Sequence, residues 1–148
     1  MAIWQFECMI IPKDRDRKNY KNNDQYISWI GANTPDDALI FLSNHFPFKK
    51  SWSYDIKQYG NNDSTCIELF LAGDNIEEIR CRLDLRNISK QLLTNILKFI
   101  DMINGEFYYN DNSYEANMKN IVKLIKNSDA ARFCNNPLEY LKSLEGDN

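Results

Sequence analysis

The sequence predicts an α+β fold: an antiparallel sheet of about four or five strands with helices packed on one face, and a helical C-terminal half. Two patterns and their order along the chain carry this. Stretches in which apolar and polar residues alternate, the period of half-buried strands, dominate the first 86 positions. After Ser89 the apolar residues recur at three- and four-residue spacing, the period of helices. Strand-like and helix-like stretches are thus segregated, and no linker or internal repeat divides the 148 residues, so the chain reads as one domain, 1–148.

The first strand spans Ala2 to Ile11, with Trp4, Phe6, Cys8 and Ile10 on one face. Pro12 ends it, and Lys13 to Gln25 is polar and without period, a loop. Tyr26 to Gly31 is expected as a short strand. Asn33-Thr34-Pro35-Asp36-Asp37 reads as a helix start: Thr34 as cap, Pro35 at the first helical position, and two carboxylates at the positive end of the dipole. Ala38, Leu39, Phe41, Leu42 and Phe46 form its buried side, and Pro47 stops it. Trp52, Tyr54 and Ile56 alternate with polar residues as a further strand ending near Gly60.

Thr65 to Ala72 and Glu77 to Arg86 flank Gly73-Asp74-Asn75 as a hairpin. A two-residue loop of Asp74 and Asn75 would set Ile67 opposite Arg82 and mix the faces. A three-residue loop, Asp74 to Ile76, sets Ile67 against Leu83, Leu69 against Cys81 and Leu71 against Ile79, with Glu68 meeting Arg82 and Phe70 meeting Arg80 on the other face. Because a one-residue slip inverts every side chain, the apolar face favours the second register. It also separates Cys66 from Cys81, so no disulfide joins them.

In the second half, Ser89 caps a helix from Lys90 to Ile103 whose Leu92, Leu93, Ile96, Leu97, Phe99, Ile100 and Ile103 cover most of its circumference, so the helix is central. Gly105 stands where a C-terminal glycine belongs. Tyr114, Met118, Ile121, Val122 and Ile125 mark a second helix. Ala130, Ala131 and Phe133 suggest a helical turn. Asn136 and Pro137 start a last short helix through Leu144, before a frayed EGDN tail.

Composition narrows the function. The formal net charge of −3 argues against general nucleic-acid binding, which needs an excess of lysine and arginine. No apolar run approaches the roughly 20 residues that span a bilayer. No signal peptide is read at the N-terminus. The four cysteines, Cys8, Cys66, Cys81 and Cys134, are scattered in apolar contexts without metal-ligand spacing, which favours a reducing cytoplasm. No metal or cofactor is expected.

No catalytic residues are assigned. The single histidine, His45, ends a helix, where its charge suits the dipole. Asp36-Asp37 is explained by helix capping and Glu77-Glu78 by a hairpin edge. No Gly-rich phosphate loop or nucleophile motif is present. Two stretches remain as surfaces. Ile79-Arg80-Cys81-Arg82-Leu83-Asp84-Leu85-Arg86 places three guanidiniums on one strand face. Glu68 and Asp84 neutralise them in part, which leaves Glu68, Arg80, Arg82 and Arg86 as a secondary candidate surface. The primary candidate is the helix-joining loop Gly105 to Glu115, where Glu106, Tyr108, Tyr109, Asp111, Tyr114 and Glu115 mix aromatic anchors with carboxylates. The bland reading is that Phe107 and one tyrosine plug the core.

Trp52 followed by Tyr59-Gly60, then Arg82-x-Asp84-x-Arg86 opening onto a helix, then Ser128-x-Ala130-x-Arg132-Phe133-x-x-x-Pro137-x-x-Tyr140-Leu141, resembles small bacterial immunity proteins of polymorphic-toxin and contact-dependent growth inhibition systems. The resemblance covers roughly residues 50–144 of the chain. It implies a cytoplasmic α+β protein, without catalytic residues or cofactor, that binds a cognate toxin C-terminal domain as a heterodimer and blocks it. Many such toxins are nucleases with basic grooves, to which an acidic inhibitor is steered. No nucleic-acid or membrane partner is expected. A cytoplasmic chaperone or adaptor is the alternative, and an enzyme built on His45 or a carboxylate pair the third.

Overall fold

The computed structural model describes residues 2–13, 27–132 and 134. Among them the chain forms β1 (Gln5–Pro12), α1 (Asp36–His45), β2 (Phe48–Lys49), β3 (Ile56–Gly60), β4 (Cys66–Ala72), β5 (Asn75–Asp84), α2 (Lys90–Met102), β6 (Gly105–Tyr109), β7 (Asn112–Tyr114), α3 (Met118–Lys126) and α4 (Asp129–Arg132). The seven strands make one antiparallel sheet in the order β2-β3-β4-β5-β1-β6-β7. The α+β class therefore stands, but the sheet is larger than the expected four or five strands, and the C-terminal half is not helical throughout. The main difference lies in one segment. Gly105 to Tyr114, expected as a loop between helices, alternates Phe107 and Tyr109 inward with Glu106 and Tyr108 outward and folds as a hairpin.

β1 lies between β5 and β6 and joins the β2–β5 meander to the β6–β7 hairpin. Phe6, Cys8 and Ile10 face the core with Ile67, Leu69, Ile79, Cys81, Leu83 and Phe107. Onto this face pack Leu93, Ile96, Phe99 and Ile100 of α2 and Ile121, Val122 and Ile125 of α3. The narrow buried stripe of α1 is Ala38 and Leu42. Burying each of these leucine, isoleucine, valine and phenylalanine side chains contributes on the order of 1.5–3 kcal/mol. Trp29 fills the same core, donating its indole N–H to the Ile10 carbonyl at 2.7 Å and its backbone N–H to the Glu77 carbonyl at 2.8 Å. Trp29 to Ala32 are turn and irregular chain rather than the strand expected across Tyr26 to Gly31. The loop from Lys13, the last helix and the tail fall largely or wholly outside the described residues.

Several boundaries differ from expectation for physical reasons. At α1, Pro35 occupies the cap position itself, with no side-chain cap from Thr34; the Pro35 carbonyl accepts the Ala38 N–H at 3.0 Å. The second helix starts at Met118, where Asn117 caps the Asn120 N–H at 2.8 Å, so Tyr114 belongs to β7. Ser89 caps α2 as expected, at 3.1 Å from the Leu92 N–H. The left-handed residue after α2 is Asn104, at φ 54°, and Gly105 opens β6 instead. Glycine is needed there for space: a Cβ would stand 3.1 Å from Ile10 Cγ2, 3.2 Å from Ile100 Cγ2 and 3.3 Å from the Ile11 carbonyl.

The β4–β5 register is two residues from the expected one. Leu69 pairs with Ile79, Ile67 with Cys81 and Glu68 with Arg80, and the turn is Gly73-Asp74, with Gly73 at φ 64°. Face matching constrains only the parity of a register, and a two-residue shift preserves it. A bulge at Glu77 absorbs the odd residue, and the Glu77 carbonyl accepts the Trp29 N–H. Trp52 and Tyr54, expected to alternate with Ile56 in a strand, precede β3 and are exposed.

Candidate functional site

The two stretches singled out by sequence meet on the sheet face opposite the helices. Pairing in register across the sheet gives one row on the face away from the helices, Gln58, Glu68, Arg80, Met9, Tyr108 and Ser113, of which Gln58 and Glu68 are buried. The next row runs Gly60, Cys66, Arg82 and Glu7. The arginine face and the tyrosine hairpin are therefore parts of a single surface, which sequence could not reveal because β1 supplies the join.

The arginines are held from within. Arg82 reaches Glu7 Oε1 at 3.3 Å and Glu68 Oε1 at 3.1 Å. The second contact is within ion-pair range but out of hydrogen-bond alignment, so the buried Glu68 Oε1 accepts no hydrogen bond. Arg80 pairs with Glu78 at 3.1 Å and lies 4.4 Å over the Phe70 ring. The expected Glu68–Arg82 and Phe70–Arg80 partnerships thus form diagonally. Arg86 falls beyond the end of β5 rather than in the row. It clasps Asp84 with both Nε and Nη2 at 2.9 Å and lies 3.9 Å over Trp4. Burial alone would raise the Asp84 carboxyl, but hydrogen bonds from the Arg86 side chain and backbone and from Asn87 hold it below the usual carboxylate range.

The β6–β7 hairpin turns through Asn110 and Asp111, both at positive φ (49° and 62°), the geometry of a type I′ turn that Asn and Asp adopt readily. The six candidate residues divide by face. Tyr109 packs 5.2 Å from the Phe6 ring, and Tyr114 pairs in register with Phe107, so both lean on the core. Phe107 is fully buried. Tyr108 and Glu106 point outward, with the Tyr108 hydroxyl donating to Asp111 Oδ1 at 3.3 Å. Asp111 and Glu115 are exposed. Burial pushes the Glu106 carboxyl up, against the opposing pull of Lys13.

His45 ends α1 as expected. Its Nδ1 stands 3.2 Å from Asn95 Nδ2, and its ring lies 4.5 Å from Phe41. A hollow of about 340 Å³ beside it is also lined by Thr65, Asp84 and Asn87, but the Asp84 carboxylate is occupied by Arg86. Among the described residues no three His, Cys, Asp or Glu side chains converge as a metal site, and no helix is long and apolar enough to cross a membrane. The four cysteines are free thiols. Cys8 and Cys81 are cross-strand partners, and the hydrogen bond between their thiols, with burial, pushes Cys81 well above its ordinary range. Burial, then the neighbouring Glu68 carboxylate, pushes Cys66 up to about 12, so neither thiol is a nucleophile at neutral pH.

Sequence reasoning missed a different cluster. Phe48, Trp52 and Tyr54 are 57%, 80% and 97% exposed at the β2 edge. The available signal was the run Phe48-Lys49-Lys50, whose two lysines in a row do not suit a buried strand. No known protein family, curated protein or solved structure matches the chain.

Proposed function

We propose that this chain is a binding protein that neutralises a basic protein partner, as an immunity protein holds a cognate toxin C-terminal domain inactive in a heterodimer. The observation that supports this reading is the β6–β7 hairpin. A tight turn at the β7 end of the sheet carries Tyr108, Asp111 and Glu115 beside the half-buried Glu106. Tyrosine buries a large area at small entropic cost, and the carboxylates steer a cationic partner. The desolvated Glu106 carboxylate gains most from such a partner, because a cation docked beside it restores the stabilisation lost with water. The proposed partner is a nuclease-type domain with a basic groove, and the proposed site of action is the cytoplasm, where free thiols persist.

The test is co-expression with the C-terminal domain of a large secreted toxin encoded immediately upstream. The parent chain rescues growth. Tyr108→Ala and Asp111→Ala, each with its fold confirmed by circular dichroism, weaken binding by about 2 kcal/mol or roughly thirtyfold in calorimetry. Tyr109→Ala is a poorer probe, since its ring also packs on Phe6. If both folded variants bind within about twofold of the parent, the hairpin is not the anchor.

A further inference from the structure

We propose that the β2 edge of the sheet is a second docking surface, built to rest on an anionic lipid bilayer. Within seven residues it gathers three exposed aromatics, Phe48, Trp52 and Tyr54, and two exposed lysines, Lys49 and Lys50. Asp55 is the single carboxylate between Phe48 and Ile56, while Lys57 pairs with Leu69 on the helix-bearing face and lines a hollow with Asp36 and Asp74. A chain with a net charge of −3 that concentrates lysines around bare aromatics has built a local patch of the opposite sign.

The turn that presents them is pinned. The Ser51 hydroxyl lies 2.5 Å from the Ser53 carbonyl and 2.8 Å from the Ile56 carbonyl, and it accepts the Ser53 N–H at 3.1 Å. Ser53 Oγ accepts the Asp55 N–H at 3.2 Å, and the Asp55 carbonyl accepts the Leu71 N–H at 2.7 Å. Trp52 and Tyr54 thus project from a hydrogen-bonded scaffold. Entering an apolar medium, the loop would not carry the N–H groups of Ser53 and Asp55 in unsatisfied.

The exposures favour a soft surface over a groove. At 97% and 80%, Tyr54 and Trp52 stand clear of neighbouring side chains and form no channel to seat a peptide or track a phosphodiester backbone. Trp and Tyr settle at the headgroup level of a bilayer, and lysine stems lie along apolar surface while their ammonium groups meet anionic lipid. That no helix among the described residues is long and apolar enough to cross a membrane does not bear on resting against one. At about 4.8 Å per strand, this edge is roughly 29 Å from the β6–β7 hairpin, so both can be engaged at once. The two readings are separable, since vesicle binding reports on one edge and partner binding on the other.

The test uses the full chain with vesicles of phosphatidylcholine alone, or with about a third phosphatidylglycerol. Trp29 is buried and Trp4 lies against Arg86, so Trp52 dominates any change in emission on docking. The expected result is co-sedimentation with anionic vesicles, a blue shift, and release by salt. Lys49→Gln and Lys50→Gln each lower partition by about fivefold. Trp52→Ala combined with Tyr54→Ala lowers it by about tenfold or more with the circular dichroism unchanged. The proposal is overturned if anionic vesicles do not bind, if the aromatic double variant binds like the parent, or if a single-stranded oligonucleotide or an acidic peptide shifts the emission where vesicles do not.

Discussion

Arg82→Ala is the most informative perturbation of the sheet. The guanidinium stands between Glu7, whose side chain is 27% exposed, and Glu68, at 2%. The two losses are unequal. The pair with Glu7 is partly solvated and contributes about 1 kcal/mol or less. Glu68 would be left as a buried charge without its cation, and breaking such a pair costs about 3 kcal/mol. On a domain of this size, that lowers Tm by roughly 10 °C. Glu68→Gln alone is expected to cost about 1 kcal/mol or less, since Arg82 keeps Glu7. Added to Arg82→Ala, it should recover most of the loss by removing the stranded charge. The assay is urea unfolding of the parent, both single variants and the double variant at neutral pH. An Arg82→Ala loss below about 1 kcal/mol, or a double variant no more stable than Arg82→Ala, would refute the reasoning.

Three further outcomes are expected. Asp84 titrates below its ordinary value of 3.8 in the fold, so its stabilisation is full above that value and is lost as pH falls through the lowered one; Asp84→Asn should flatten this acid limb in pH-dependent unfolding. Glu106 is shifted the other way by burial, so Glu106→Gln should raise stability at neutral pH, the gain vanishing below the ordinary value of 4.5; a neutral-pH loss would contradict this. Gly105→Ala should cost about 1–3 kcal/mol in thermal melts, because Ile10, Ile100 and the Ile11 carbonyl must all give way.

Much of the fold was legible where a residue's role depends on its own neighbours in sequence. Ser89 capped its helix, Phe6, Cys8 and Ile10 turned inward together, and Leu93, Ile96 and Phe99 formed the central helix face. What was not legible depended on distant chain. The Asn110-Asp111 turn is a strong hairpin signal. Its short strands, however, gain sheet character only by pairing Tyr108 with Met9 and Phe107 with Ile10. The bulge at Glu77 is tied to Trp29, far outside the hairpin. Trp52 and Tyr54 alternate as a buried strand would, and their exposure follows from the Ser51 hydroxyl pinning the turn before β3. The candidate residues were identified individually; that Tyr108 and Arg80 flank Met9 on one surface was not, because the first strand stands between them.

The central place of that first strand has a consequence for synthesis. β1 leaves the ribosome before any of its partners: Cys8 must wait for Cys81, and Ile10 for Phe107. Until then the β2–β5 meander can form with its β5 margin unpaired, while the nascent β1 segment carries Phe6, Ile10 and Ile11 unburied. Insertion of β1 closes the longest loops in the sheet, a step that distant pairing makes slow. An unfilled slot between β5 and β6 would also accept the same strand from another copy, so exchange of β1 is the misassembly to which this topology is most open.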